Sequence, residues 1–299
     1  MKKVISRLAV VVLLTSLAAC AAPPKEVVEV PQVVAGYEAV QDGEFFIEAV
    51  KPLHMTPETI KAEVAYAGKE KPGAIVVDTH ARKLYYILEG GRAIRYGIAV
   101  GREGIGFSGD GTIQRKQEWP SWQPTANMIR TRPDLYAKYA AGLPGGLDNP
   151  LGARAMYLYR GGRDTMFRIH GTIDNASIGR ATSAGCIRLF NQDAIDLYNR
   201  VKMGTRVHVR TLAESLEMEG PYMDDAYGRA VPATDANKAQ FEKDLVTIAE
   251  REKREAAEKA AEEARLALEA EKAEKRRLRV CRNKGIAVAD CPPLDPTGV

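Results

Sequence analysis

From Ala74 to Val100 the chain is a succession of short β-branched and aromatic runs: Ala74-Ile75-Val76-Val77-Asp78, Lys83-Leu84-Tyr85-Tyr86-Ile87-Leu88 and Ala93 to Val100. The last two are separated by Glu89-Gly90-Gly91. A glycine-rich turn between such runs is hairpin chemistry, because glycine enters the left-handed backbone region without steric cost. The same texture returns at Ala155 to Tyr159, at Thr165 to His170 and at Arg206 to Arg210, where a last strand is expected to close the sheet near Thr211. The fold is therefore expected to be mainly β. Asn191 reads as the cap of a helix over Gln192 to Lys202, with Ala194, Ile195, Leu197, Tyr198 and Val201 on one apolar face. Gly101 to Gly152, with Trp119-Pro120, Trp122, Pro124, Pro133, Pro144-Gly145-Gly146 and Asn149-Pro150, reads as loop-heavy, and a loop of that length is functional or an insertion.

Both ends of the chain have a different character. Lys2, Lys3 and Arg7 precede an apolar stretch, Leu8 to Leu17, too short for a membrane span and typical of a secretion signal. It ends in Leu17-Ala18-Ala19-Cys20, similar to the lipobox of bacterial lipoproteins, so Cys20 is expected to carry lipid. Ala21 is not the acidic residue of an inner-membrane retention signal, which favours the outer membrane. From Ala21 to about Lys71 a Pro-, Glu- and Val-rich stretch reads as a tether, with a short helix expected over Pro57 to Ala67. Beyond Ala236 an Ala/Glu/Lys/Arg run reaches Arg279, with Glu250/Arg254, Glu255/Lys259 and Glu271/Lys275 spaced four apart, and predicts one exposed helix of roughly 60 Å. Its large apolar residues keep no a/d heptad over several turns, so a self-standing coiled coil does not follow, and the run reads as a solvated spacer first and an oligomerisation helix second. The expected organisation is a signal peptide at 1–19, a lipidated tether at 20–72, a β-rich domain at 73–211, a linker at 212–236, a charged helix at 237–280 and a tail at 281–299.

Export places the chain where disulfides form readily, which gives its four cysteines meaning. Cys281 and Cys291 read as a disulfide that pins the chain end. With Cys20 lipidated, Cys186 is left as an odd thiol, and an odd thiol in an exported protein is a candidate nucleophile. Ile169-His170-Gly171-Thr172 lies just upstream of Thr182-Ser183-Ala184-Gly185-Cys186-Ile187-Arg188-Leu189. A cysteine attacks as thiolate, Arg188 and the following helix are positioned to favour that form, and a histidine at a strand end can take the proton and return it to a leaving amine. A carbonyl near Gly171 could fix the imidazole tautomer. Gly185 permits a tight turn, leaving its amide and that of Cys186 as candidates for an oxyanion hole. Spacing alone leaves open a second reading, in which Cys186 is a buried small hydrophobe and His170 an unrelated core residue.

Ala74 to Arg210 resembles the L,D-transpeptidase catalytic domain, also called the YkuD domain, through His170-Gly171 and Ser183-Ala184-Gly185-Cys186-Ile187-Arg188. The resemblance implies a β-sandwich catalytic domain with a short helix after the nucleophile, beside the long C-terminal helix. It also implies acyl transfer from peptidoglycan tetrapeptide stems. Cys186 is then the nucleophile attacking the diaminopimelate–D-alanine bond, His170 the base, and Arg188 the partner of a substrate carboxylate or of the thiolate. Ser183 is retained and Ala184 replaces a second histidine that many members carry, which affects substrate positioning rather than the base. Acceptors compatible with this chemistry are a stem amine, an outer-membrane protein amine or water. The alternative of another class is a non-catalytic, peptidoglycan-binding envelope spacer built on the long helix.

Other chemistries lack support. His54, His80 and His208 show no ligand spacing with each other or with cysteines, so no metal site is expected. Gly101 to Gly111 departs from the phosphate-loop pattern, no Cys-x-x-Cys pair is present, and no cofactor is expected. A formal charge of +4 over 299 residues gives no case for nucleic acid. Trp119 and Trp122 read as packing or as a wall of the cleft.

Overall fold

A computed structural model describes residues 33–101, 108–182 and 186–292. Cys20, Ser183 and Gly185 lie outside the described residues. The chain runs β1 (Val40–Asp42), β2 (Phe45–Ile47), β3 (Ala62–Ala65), β4 (Ile75–Asp78), β5 (Lys83–Ile87), β6 (Arg92–Gly97), β7 (Ala99–Gly101) and β8 (Gly109–Glu118). Then follow α1 (Ala126–Thr131), α2 (Pro133–Tyr136), β9 (Arg154–Arg160), β10 (Arg163–His170), β11 (Ala181–Thr182), β12 (Ile187–Arg188) and α3 (Asn191–Arg200). The last elements are β13 (Arg206–Val209), α4 (Leu212–Glu219), β14 (Tyr222–Asp224), β15 (Ala230–Pro232) and α5 (Asp235–Asn283).

Eleven strands form one sheet in the order β11-β7-β12-β10-β9-β8-β13-β4-β5-β6-β3. Only Ile98 separates β6 from β7, yet the two stand near opposite ends of that order. The sheet must therefore curl round until this one bent segment joins its two ends. The largest apolar cluster is Ile75 and Val77, Leu84, Tyr96, Ile98 and Val100, Met156 and Leu158, Ile169, Ile187 and Leu189, capped by Ala194 and Leu197 of α3 and by Val201 just after it. The mainly β expectation and the long C-terminal helix both hold.

Residues 33–72 are built into the fold rather than serving as a tether. Tyr37 and Val50, each 1% exposed, pack with Phe190, Ile178 and Ala99. Arg154 clamps Asp42 at 2.6 and 2.8 Å. Instead of a helix at Pro57 to Ala67, β3 lies antiparallel on β6, Ala62 opposite Arg95. The buried anchors are single residues among polar ones and leave no periodicity to read. Likewise β8 crosses the supposed loop as an interior strand between β9 and β13, with Ile113 as its fully buried apolar residue. β13 also sits inside the sheet, paired with β4 and β8. Asn191 does not cap α3, whose cap position is Phe190; its Oδ1 accepts from the Ala153 amide at 3.0 Å.

The expected linker at 212–236 holds α4, opened by a Thr211/Glu214 capping box, and the β14–β15 hairpin. Buried charges tie it down. Asp78, fully buried, accepts from the Ala81 amide, from Ser215 Oγ and from Arg210 Nη1. Arg210 also reaches Glu219 at 2.8 Å, and Glu219 accepts from Tyr85 at 2.7 Å and pairs with Lys83 at 3.3 Å. Lys83 in turn donates to Tyr222.

α5 spans 49 residues, about 74 Å at the usual rise. Of the expected pairs Glu271–Lys275 forms, while Arg254 turns to Glu258, Glu255 to Arg251 and Lys259 to Glu263. Arg254, Glu255 and Lys259 each have an opposite charge four residues away in either direction, so spacing did not fix their choice. Cys281 and Cys291 form the disulfide, and Arg277 donates to the Cys291 carbonyl.

Replacing Arg210 by Met leaves Asp78 buried without its counter-charge, and the expected loss is about 3–5 kcal/mol. Arg92→Ala breaks the exposed pair with Glu63 and an exposed hydrogen bond to the Glu89 carbonyl, and should cost less than about 1 kcal/mol. Urea unfolding of both variants checks the contrast; equal losses would contradict it.

Candidate active site

β10 and β12 lie parallel, with Ile169 beside Ile187 and His170 beside Arg188. Both isoleucines enter the core, so by the period-two rule His170, Arg188 and the preceding Cys186 lie on the outer face. Cys186 stands one position before Ile187 and so beside Arg168. The Gly101 amide donates to the Cys186 carbonyl, and the Leu189 amide to that of His170. β12 is thereby held between β7 and β10.

His170 is 3% exposed. Its Nδ1 lies 2.6 Å from the carbonyl oxygen of Gly171. A carbonyl only accepts, so Nδ1 carries the hydrogen and Nε2 keeps its lone pair. Burial, reinforced by the Arg188 charge, pushes the imidazole pKa down to about 3, against the Gly171 and Leu151 carbonyls, which favour the charged form. His170 is neutral at ordinary pH.

Gly171 has a specific reason to be glycine. A Cβ there would strike the Asn191 carboxamide and come within 3.2 Å of the Ala153 nitrogen. Asn191, read from sequence as a cap, therefore packs against the residue that follows His170.

Cys186 is the free cysteine among the described residues and is half-buried. Burial raises its pKa; the Arg168 peptide N–H and the charges of Arg168 and Arg188 oppose that without reversing it. At rest Cys186 is a neutral thiol and His170, on the neighbouring strand, a neutral imidazole. Sequence reasoning passed over Arg168, Tyr157 and Arg115, which share this face of the sheet. They stand one on each of β10, β9 and β8, so no sequence spacing links them. Trp119 donates to Asp42 and stacks on Phe45 at 4.1 Å, and Trp122 packs near Tyr136 and Tyr139, so both tryptophans serve packing. Among the described residues no group of three His, Cys, Asp or Glu could hold a metal ion.

The family model for the L,D-transpeptidase catalytic domain, YkuD, matches residues 72–209. The protein named Probable L,D-transpeptidase ErfK/SrfK of Salmonella typhimurium is 35% identical over 57% of this chain and 54% of its own length. A Fuscovulum blasticum relative whose name places it among the L,D-transpeptidases is 38% identical over 45% of this chain and 68% of its own. The chain belongs to the L,D-transpeptidase family. It spans about half the length of the curated relatives it matches. A solved Brucella melitensis structure, titled as a probable carnitine operon oxidoreductase, is 46% identical over 52% of this chain and 95% of that one, with a TM-score of 0.37.

Two pH effects follow for this family member. Because the folded His170 pKa lies below the unfolded value of 6.5, the unfolded chain takes the proton first. Its contribution to stability is complete above about pH 6.5 and lost as pH falls toward about 3. His170→Gln should flatten that part of the urea-midpoint profile. Alkylation of Cys186 by iodoacetamide should rise roughly tenfold per pH unit through neutrality. A rate already level at pH ~7 would show a preformed thiolate instead.

Proposed function

We propose that the chain is a peptidoglycan L,D-transpeptidase acting through Cys186, with His170 as its base. The observation that carries this reading is the placement of thiol and imidazole on one face of paired strands, with Nδ1 committed to Gly171 and Nε2 left as the acceptor. In the first half-reaction the Cys186 proton passes to His170 Nε2 as the sulfur attacks the carbonyl between diaminopimelate and the terminal D-alanine. The carbon–nitrogen bond breaks, D-alanine leaves with the proton from His170, and a thioester remains. In the second, an amine gives a proton to His170 and attacks the thioester, and the thiol is regenerated. Arg188, beside His170 and without an ion-pair partner among the described residues, is the nearest cation for a substrate carboxylate. The amine can belong to another stem, giving a cross-link, or to an outer-membrane protein, giving attachment to the wall. The basic and apolar leader ending at Cys20 supports lipid anchoring on the periplasmic side, in the outer membrane.

Intact-mass spectrometry on incubation with a tetrapeptide stem tests this. Wild type should gain the acyl mass and release D-alanine, Cys186→Ala should do neither, and His170→Gln should slow release by about 10²–10⁴-fold. D-alanine release undiminished in Cys186→Ala would sink the mechanism.

A further inference from the structure

We infer that Arg115 sets donor specificity by binding the distal carboxylate of diaminopimelate, an inference that rests on the transpeptidase reading above. One row of residues crosses four neighbouring strands. Cys186 stands beside Arg168, Arg168 is paired with Tyr157, and Tyr157 is paired with Arg115. Their neighbours Ile187, Ile169, Met156 and Leu158 point into the core, so the row lies on the outer face with the thiol.

Tyr157 is only 6% exposed because two guanidinium groups cover it, Arg168 at 4.4 Å and Arg115 at 4.5 Å from the ring centre. The two cations differ in what neutralises them. Arg168 is held by both oxygens of Asp164, at 2.7 and 2.8 Å. Arg115 is exposed and donates to the neutral Gln117 Oε1 at 2.7 Å, and among the described residues no carboxylate lies within ion-pair distance of it. The ring and Gln117 thus pre-order a guanidinium that Asp164, whose two oxygens are taken up by Arg168, feels only at longer range, an arrangement that favours capture of a carboxylate.

The reach agrees with the proposed ligand. Three strand spacings put the Arg115 Cα about 14 Å from that of Cys186, and the side chain, lying back over Tyr157, recovers about 7 Å. The second carboxylate of diaminopimelate is about six bonds from the carbonyl that Cys186 attacks, or about 7 Å when extended. Lysine has the same amine at the same distance and no carboxylate there, so a lysine stem is the matched probe.

The experiment measures kcat/KM for D-alanine release from diaminopimelate and lysine tetrapeptides with the full chain and its Arg115→Gln and Arg115→Lys variants. Wild type should favour diaminopimelate by roughly ten- to a hundredfold, the range of a hydrogen-bonded charge. In Arg115→Gln that ratio should fall to near one, through KM, and in Arg115→Lys much of it should return. If the residue only covers Tyr157, both donors slow together and the ratio stands, which overturns the inference. A wild type active on both donors without preference overturns it alone, whereas a wild type inert on both overturns the transpeptidase reading as well.

Discussion

Everything the site does depends on the parallel pairing of β10 with β12. Ile169 and Ile187 are buried side by side, and a slip of one residue in either strand would turn an isoleucine outward and a histidine or arginine into the core. The hydrophobic cost of that slip fixes the register, and the register in turn fixes the outward positions of His170, Arg188 and Cys186. Two residues with no chemistry thus determine where the chemistry sits. The closed sheet adds rigidity, since β12 is held on its other side by β7, itself the continuation of β6.

Much of this was legible in the sequence, and the parts that were not share a cause. The β texture, the α3 apolar face, the Cys281–Cys291 bridge and the Cys186/His170 motif all rest on local patterns. Tyr37, Asp42 and β8 were missed because their partners lie far along the chain: Asp193, 156 residues on, for Tyr37, and Arg154, 112 residues on, for Asp42. Read alone, Gly109 to Glu118 is polar, because its outward residues face solvent and the site while Ile113 supplies its core contact. Asn191 was read as a cap from residue type and position, correctly placed at the helix start but given the wrong partner. Arg115, Tyr157 and Arg168 become a unit only once two strand pairings are known.

Charge is handled differently in two parts of the molecule. Around Asp78, Arg210, Glu219 and Lys83 every buried charge meets an opposite one, which fastens α4 and the β14–β15 hairpin to the sheet. On the face that carries Cys186, Arg188 and Arg115 have no carboxylate within ion-pair distance among the described residues, and Asp164 pairs with Arg168 while feeling Arg115 at longer range. Unpaired cations beside a thiol would ordinarily make a thiolate. Here burial of the sulfur outweighs them.

That outcome is coherent with the proposed cycle. A standing thiolate is the species that oxidants attack, and where oxidants are present it is lost to sulfenic acid or to mixed disulfides. Keeping the proton on sulfur until a carbonyl arrives makes activation conditional on substrate. Desolvation that hinders charge separation at rest also strengthens the attraction of Arg188 and the Arg168 N–H for negative charge as it develops on sulfur and then moves to the carbonyl oxygen. The neutral resting pair is therefore compatible with a reactive site, because the same burial that raises the barrier to ionisation in the empty protein increases the benefit of the surrounding cations once the substrate's carboxylates and carbonyl are in place.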